Sequence, residues 1–142
     1  MMYQKAMLFG DSEVAAEILV AEHPRTVKDL GRKVRNFDEK KWVKARDAIV
    51  YKGNFLKFTS AVTEEGFRMG TSSKPEDIPL IEGSLKEMLI ATGDKEIVEA
   101  SPYDRIWGVG FTAKNADQNR KRWGLNLLGK ALMQVREELS KA

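Results

Sequence analysis

The 142-residue chain has no cysteine, which excludes disulfide bonds, thiolate catalysis and cysteine-type zinc sites. Its single histidine, His23, excludes a histidine-rich metal centre and any Ser-His-Asp triad built elsewhere in the chain. Its 24 basic and 21 acidic residues give a net charge of +3 at pH 7. Because the two kinds of charge nearly balance, the net charge does not by itself indicate a nucleic-acid-binding protein. No apolar run approaches the roughly 20 residues that span a bilayer and no secretory pattern begins the chain, so we expect a cytoplasmic or nuclear protein.

Helical patterns dominate the first 35 residues. The segment "DSEVAAEILVAEH" has Asp11 or Ser12 as an N-cap, followed by apolar residues at helical spacing. A second helix has Pro24 at a position typical of a first turn and is predicted to stop at Gly31. The first of these helices is predicted to turn one apolar face to the core, formed by Val14, Ala15, Ile18 and Leu19.

Three more helices are predicted along the rest of the chain. One starts at Asp38 and ends near Gly53, and a short one is capped by Ser84 and ended by Gly93. Between them, about 61–83 reads as a long loop or insertion because it is rich in glycine, serine and proline. Core-facing stripes are predicted at Trp42, Ala45 and Ile49, and in the last helix at Leu125, Leu128, Leu132, Val135 and Leu139.

Strand patterns are few. "EIVEA" (96–100) is short and β-friendly, and "RIWGVGF" (105–111) alternates enough for a second strand or an extended loop. The sequence therefore predicts an α+β fold, mainly α-helical with a small β element, in a single domain over 1–142.

The segment 96–111 concentrates residues that could carry chemistry. Two carboxylates, Glu99 and Asp104, could converge on one pocket, where they would suit proton transfer or charge stabilisation in glycosidic chemistry. Trp107 offers a flat face for stacking a base, and Gly108 and Gly110 allow the backbone to approach a ligand. The alternative is that the carboxylates cap turns and the tryptophan belongs to the core.

A second candidate site is "WGLNLLGKAL" (123–132). Asn126 lies between two glycines, the second of them Gly129, at the start of the last helix, where free amides and the helix dipole suit a phosphate. The alternative for Gly129 is a tight contact between helices. The preceding "KNADQNRKRW" (114–123) is either a solvated loop or a basic patch for phosphate.

Lys5 is the third candidate because its neighbours in "MMYQKAMLF" are apolar and aromatic. Such a lysine can have a depressed pKa and act as a nucleophile, although it more often extends its amine to the surface. We assign His23 a structural role at a helix N-terminus.

Taken together, the sequence resembles the YbiA-like, or NADAR, family. The matching segments are "YQKAMLFGD", "HPRTVKDLGRKVRNFDEKKWVKARDAIVYKGNFLKF", "MLIATGDKEIVEASPYDRIWGVGF" and "WGLNLLGKALMQVREEL". They cover nearly the whole chain apart from 60–83. The D-x-x-W-G-x-G segment and the later W-G-x-N-x-L-G segment are specific only in combination.

The resemblance implies the YbiA-like fold and an N-glycosidase that cleaves the C–N bond between a phosphorylated ribose and an amine or base. The substrate would be an early riboflavin-pathway intermediate or an ADP-ribosylated guanine, in a small molecule or in nucleic acid. By motif, Asp104 and Trp107 match the family's D-x-x-W site, Trp42 matches its helix tryptophan, and Lys5 matches a lysine that could form an imine. Arg32 is a candidate phosphate contact. We expect no metal, cofactor or membrane partner.

The resemblance also implies a functional glutamate about three residues before Met1, so Glu99 is a candidate to serve in its place. Two other functions stay open. One is a non-catalytic domain that binds ADP-ribose or a nucleotide. The other is a nucleic-acid-binding module that uses 114–123. The sequence leaves the oligomeric state undetermined.

Overall fold

The computed structural model describes residues 1–60 and 84–142, and these are predominantly helical. The predicted loop at about 61–83 lies outside the described residues. Two compact units are distinguished, one containing Met1–Gly53 and the other Asn54–Ser60 with 84–142. The helices are α1 (Met2–Leu8), α2 (Ser12–Val20), α3 (Pro24–Arg32), α4 (Glu39–Thr59), α5 (Leu85–Ala91), α6 (Ala113–Ala116) and α7 (Leu127–Lys141), with a 3-10 helix at Asp117–Arg122.

Four predicted helix starts are confirmed, at Asp11 or Ser12, Pro24, Asp38 and Ser84, whereas the last helix begins at Leu127, after the Leu125 predicted to lie in it. The confirmed starts have local physical causes. The Asp11 carboxylate accepts a hydrogen bond from the Val14 amide, 3.2 Å away, and so caps α2. Pro24 is in the first turn of α3, where the His23 Nδ1 atom accepts from an exposed backbone amide. Ser84 begins α5 with a capping box, in which the serine and a glutamate three residues later bind each other's backbone amides.

Two predicted helix ends are wrong, and one is confirmed. Gly31 lies inside α3 and is buried, and a Cβ there would overlap the Met2 side chain, so the glycine allows close packing of α1 on α3. Helix α4 continues past Gly53 to Thr59, since one glycine weakens a helix of 21 residues by only about 1 kcal/mol. Gly93 follows the end of α5 with φ at +57°, as a helix stop requires.

The first unit has an apolar core built from α1, α2 and the end of α3. Its buried members are Ala6, Phe9, Val14, Ala15, Ile18 and Val34, with Trp42 packed against them. Leu19 does not belong to this core, contrary to the prediction, and is 69% exposed. Adjacent helical residues point about 100° apart, so Ile18 faces the core and Leu19 is turned away.

An ion pair between a buried aspartate and a largely exposed arginine ties α2 to the loop after α3. Asp11, only 2% exposed, accepts from the Arg35 Nη2 atom at 2.7 Å and from the Arg35 backbone amide at 2.9 Å. These hydrogen bonds hold the pKa of the Asp11 carboxyl well below its usual range. One carboxylate therefore caps a helix and fixes a loop 24 residues away in the sequence.

In the second unit, α5 packs on α7. The buried apolar residues are Leu85 and Leu89 from α5 and Ala131, Val135 and Leu139 from α7. The predicted seam is correct at Val135 and Leu139, and Leu128 and Leu132 are half-buried. The prediction is wrong at Leu125, because this residue precedes the helix and is 48% exposed.

The small β element is not confirmed, because no residue in 1–60 or 84–142 lies in a strand. Segments 96–100 and 105–111 share one backbone hydrogen bond, from the Val109 amide to the Glu99 carbonyl at 3.0 Å. The carbonyls of 105–109 accept instead from the five amides of 124–128, which replaces a ladder between the two segments. In the described ranges, no helix combines the length and apolar character needed to cross a bilayer.

Two glycine-to-alanine substitutions should change stability in opposite directions. A Cβ at Gly53 has only ordinary contacts, its nearest neighbour 3.9 Å away, so Gly53→Ala should stabilise the protein by about 0.5–1 kcal/mol. A Cβ at Gly129 would overlap the Ile97 carbonyl oxygen, so Gly129→Ala should destabilise it although alanine favours helices. Urea unfolding followed by circular dichroism measures both, and a stabilised Gly129→Ala variant would contradict the packing described.

Asp11→Asn should lower the urea midpoint, because it removes the buried charge that binds Arg35. Glu13→Gln is the control, since Glu13 also binds Arg35, at 2.6 Å, but is largely exposed and should change the midpoint little. Because the folded-state pKa of Asp11 is lowered, its stabilisation is complete above about pH 4 and is lost as the pH falls further. The wild-type protein should therefore lose more stability between pH 5 and pH 2 than Asp11→Asn, and equal losses would contradict the assignment.

Candidate functional site

The structure places the candidate residues in two groups, one in each unit. Lys5, Arg32 and Trp42 belong to the first unit, and the candidates from Glu99 to Gly129 belong to the second. Among residues 1–60 and 84–142, no three acidic or histidine side chains form a group that could hold a metal ion.

Lys5 lies on α1 with its ammonium group close to two aromatic rings. Its Nζ atom donates to the Gly31 carbonyl at 2.7 Å and lies 4.8 Å from the centre of the Phe37 ring and 5.6 Å from that of Trp42. Burial lowers the pKa of Lys5 from its ordinary value, which increases the share of neutral, nucleophilic amine at a given pH. The structure therefore brings Lys5 and Trp42 together, where the two rings and the Gly31 carbonyl favour the ammonium form and burial favours the neutral amine.

Phe37 belongs to this site but was missed by the sequence analysis. Its ring is 48% exposed and packs on Phe9 with the ring centres 5.3 Å apart. The loop that carries it has Asn36 at φ +58° and is held by the Asp11–Arg35 ion pair. The signal in the sequence was "RNF", an asparagine tolerant of positive φ before an aromatic residue, but its partner on α1 is visible only in the fold.

Arg32 is the last residue of α3, directly after the glycine whose carbonyl binds Lys5. Its guanidinium is paired with Asp29 of the same helix at 3.2 Å, and 68% of the side chain is exposed. A single exposed ion pair of this kind holds an arginine weakly, so the group is accessible to an anionic ligand.

Asp104 both shapes a turn and keeps a carboxylate oxygen available. Its Oδ1 atom accepts from the amides of Ile106 and Trp107, at 2.9 and 2.8 Å. Its other oxygen has no hydrogen-bond partner in the described parts of the chain. The alternative that this carboxylate caps a turn is thus correct for one oxygen, while the second can serve a reaction.

Glu99 is half-buried and is fixed through its backbone. Its amide donates to the Asn126 side chain at 3.0 Å, and its carbonyl accepts from Val109. Within 1–60 and 84–142, its carboxylate forms neither a hydrogen bond nor an ion pair. A Cβ on Gly108 would lie 2.7 Å from the Glu99 carbonyl oxygen and 3.0 Å from that of Asp104, so this glycine lets both residues approach the same backbone.

Trp107 and Gly110 complete the turn. Trp107 is half-buried, and its backbone is bound on both sides, by Asp104 and by the Leu128 amide. Gly110 has φ at +79°, and the side chain of Arg105 lies against it. The group that packs closely against Gly110 is therefore the Arg105 side chain of the same loop.

The predicted phosphate site at the start of α7 is wrong, because the amides are not free. The amides of Asn126, Leu127 and Leu128 donate to carbonyls of 106–108 at 3.1–3.2 Å. Asn126, with φ at +50°, is 4% exposed, and its side chain binds the Ile97 carbonyl and the Glu99 amide, both at 3.0 Å. Gly129 contacts the Ile97 backbone, which is an extended segment and not a helix.

The basic segment 114–123 was predicted to be either a solvated loop or a basic patch for phosphate. The structure shows that it is helical up to Arg122 and not a loop. It consists of most of α6, the 3-10 helix and Trp123. The Trp123 indole donates a hydrogen bond to the Ala116 carbonyl at 2.7 Å and so links the end of the segment to α6. Arg120 stacks on the Trp123 ring and binds two carboxylates, Glu96 and Asp117, each at 2.8 Å.

Comparison with known proteins identifies the family of the chain. Residues 1–140 match the model of the NADAR domain. The chain belongs to the NADAR family. An N-glycosidase of Acanthamoeba polyphaga mimivirus is 42% identical over 140 residues, which are 97% of this chain and 70% of that protein. The Caenorhabditis elegans protein irg-1 is 36% identical over 97% of this chain and 57% of its own length. A maize chloroplast riboflavin biosynthesis protein is 29% identical over 89% of this chain but 16% of its own.

The predicted family is thereby confirmed. The match extends across both units of the NADAR domain, so the lysine group and the carboxylate group fall within it. The chain spans 70% of the length of the mimivirus protein and 57% of the length of irg-1.

Asn126→Ala should destabilise the domain through two groups left unpaired, the Ile97 carbonyl and the Glu99 amide. Each lost partner should cost about 1–3 kcal/mol. Asn36→Ala is the matched control, because it also places alanine at positive φ but on an exposed residue. The difference between the two variants in urea unfolding isolates the side-chain hydrogen bonds, and equal destabilisation would show that backbone strain alone accounts for both.

Proposed function

We propose that this NADAR domain is an N-glycosidase that hydrolyses the bond between C1 of a phosphorylated ribose and the nitrogen of an amine or base. The mimivirus relative named N-glycosidase supports the reaction class. In the structure, the observation that carries the proposal is the Lys5 amine, held at 2.7 Å from the Gly31 carbonyl between two aromatic rings with a lowered pKa. We further propose that 1–142 acts as a single NADAR domain in the cytoplasm or nucleus.

Lys5 is the proposed nucleophile. Its neutral Nζ atom forms a bond to C1 while the bond from C1 to the leaving nitrogen breaks, and that nitrogen keeps the electron pair and takes up a proton. In the ring-closed ribosyl-lysine that results, Nζ loses a proton and forms a double bond to C1 while the bond from C1 to the ring oxygen breaks, and that oxygen keeps the electron pair and takes up a proton. The imine thus formed joins the opened ribose to Lys5. Water then adds to the imine carbon, and cleavage of the C1–Nζ bond restores the amine and releases the ribose phosphate. Trp42 and Phe37 shield the amine, and Arg32 contacts the phosphate.

The carboxylates are the proposed proton carriers. Asp104 keeps one oxygen free of the turn, and Glu99 keeps its whole carboxylate free, so either can protonate the leaving nitrogen or stabilise positive charge near C1. In this proposal Trp107 stacks on the base. Gly108 and Gly110 shape the turn beside it, and Asn126 and Gly129 act on the substrate indirectly, by holding 97–99 in place.

Two substrates satisfy this chemistry. A ribosylaminopyrimidine phosphate agrees with the name of the maize relative, a riboflavin biosynthesis protein, and an ADP-ribosylated guanine has the same phosphorylated ribose with nitrogen at C1. Incubation with each substrate, followed by mass spectrometry of the products, distinguishes them. Binding of both without cleavage would identify a non-catalytic ADP-ribose or nucleotide-binding domain.

Lys5→Met should abolish both turnover and a covalent adduct. Borohydride reduction during turnover should attach the ribose phosphate to Lys5 of the wild-type protein, as peptide mass spectrometry would show. Lys41→Met is the matched control, because the Lys41 amine also binds a backbone carbonyl, at 2.9 Å, and lies 5.6 Å from the Phe9 ring centre. Lys5→Arg keeps the charge. If it retains turnover, Lys5 contacts the phosphate and forms no imine.

Asp104→Asn should lower kcat about 10²–10⁴-fold without unfolding the domain. Asparagine keeps the side-chain oxygen that accepts from Ile106 and Trp107, so the turn remains while the carboxylate is lost. Glu99→Gln tests the other carboxylate in the same way. Full activity of Asp104→Asn, with an unchanged circular dichroism spectrum, would remove Asp104 from the mechanism.

A further inference from the structure

The second unit carries a group of cations that the glycosidase proposal does not use. Arg105, Lys121 and Arg122 are exposed, and none of them has a carboxylate partner in the described parts of the chain. Their neighbour Arg120 differs, since its guanidinium binds two carboxylates. Lys114, earlier in the same segment, is likewise exposed and has no carboxylate partner in the described ranges, so the positive charge here is not neutralised by neighbouring side chains.

The fold holds two of these cations next to each other. The Arg105 Nη2 atom donates to the Arg122 carbonyl at 2.8 Å, and the Arg105 carbonyl accepts from the Leu125 amide, also at 2.8 Å. Gly124 makes this possible, because a Cβ there would overlap the Arg105 backbone. The Arg122 guanidinium lies 5.6 Å from the centre of the Phe111 ring. The two arginines thus come from segments 17 residues apart and are fixed by backbone contacts.

An exposed aromatic residue precedes Arg105 in the same loop. Tyr103, two residues before Arg105, is 98% exposed, and no hydrogen bond or ring contact engages it within the described residues. Ile106 in the same turn is 47% exposed. A side chain exposed this fully leaves both faces of its ring available for an external flat partner.

We propose that this basic surface, defined as Arg105, Lys121, Arg122 and Tyr103, binds single-stranded nucleic acid. The cations complement a phosphate backbone, and the tyrosine ring can stack on an unpaired base. A duplex keeps its bases within its own stack and leaves the ring without a partner, which favours a single strand. The proposal concerns unmodified strands and does not depend on the glycosidase activity.

Fluorescence anisotropy with a labelled oligothymidine tests the surface. Binding should weaken with salt, and Arg105→Gln and Arg122→Gln should each reduce the slope of log K against log salt by about 0.7. Tyr103→Ala should weaken binding about fivefold or more, whereas Tyr103→Phe, which keeps the ring, should bind like the wild type. Arg25→Gln is the matched control, an exposed arginine of α3 outside the basic surface.

Four results would overturn the proposal. The first is no binding of oligothymidine at low salt by a folded protein. The second is an equal loss in Arg25→Gln, which would indicate net charge and not a surface. The third is tighter binding of a duplex with no effect of Tyr103→Ala. The fourth is binding of phosphatidylserine vesicles without binding of the oligonucleotide, which would assign the surface to a membrane.

Discussion

The structure depends on one constraint: in the irregular segments of 1–60 and 84–142, where no residue lies in a strand, backbone polar groups must find other hydrogen-bond partners. Three short polar side chains meet it. Asp11 binds the amides of Val14 and Arg35, Asp104 binds those of Ile106 and Trp107, and Asn126 binds the backbone of 97–99. An unpaired buried amide or carbonyl is expensive, so each of these side chains decides the path of a loop.

The same side chains position the candidate chemistry. In the first unit, the Asp11–Arg35 pair fixes the loop that places Phe37 over the Lys5 amine. In the second, Asn126 fixes the Glu99 backbone, and Asp104 shapes its own turn with one oxygen while the other stays free. In the proposed mechanism, stability and function therefore share residues, which is why asparagine at 104 separates the two roles better than alanine would. Residues that resemble ligand contacts in the sequence, such as Asn126 and Gly129, instead support the residues that hold the carboxylates.

Membership in the NADAR family and the local geometry answer different questions. The family match over 1–140 and the relative named N-glycosidase support a reaction at a ribosyl C–N bond. The geometry adds what no family name contains: an amine close to two aromatic rings whose pKa is lowered by burial, and two carboxylates without ionic partners in the described ranges. It also adds, within the same ranges, a separate group of cations without carboxylate partners and an exposed tyrosine two residues before one of them. These features generate the separate tests of catalysis and strand binding.

The sequence by itself determined four of the helix starts, the mainly helical class, the family and most of the candidate residues. A cap or a glycine stop depends on groups three or four positions apart, as at Asp11, Ser84 and Gly93, and such short-range relations can be read directly. Only the tertiary structure decided which partners the irregular backbone takes. The amides of 124–128 bind the carbonyls of 105–109, so the predicted strands and the predicted phosphate site are both absent from these described segments. Likewise, Phe37 meets Lys5, and Leu19 and Leu125 face away from the cores, because packing joins residues whose separation along the chain carries no periodic signal.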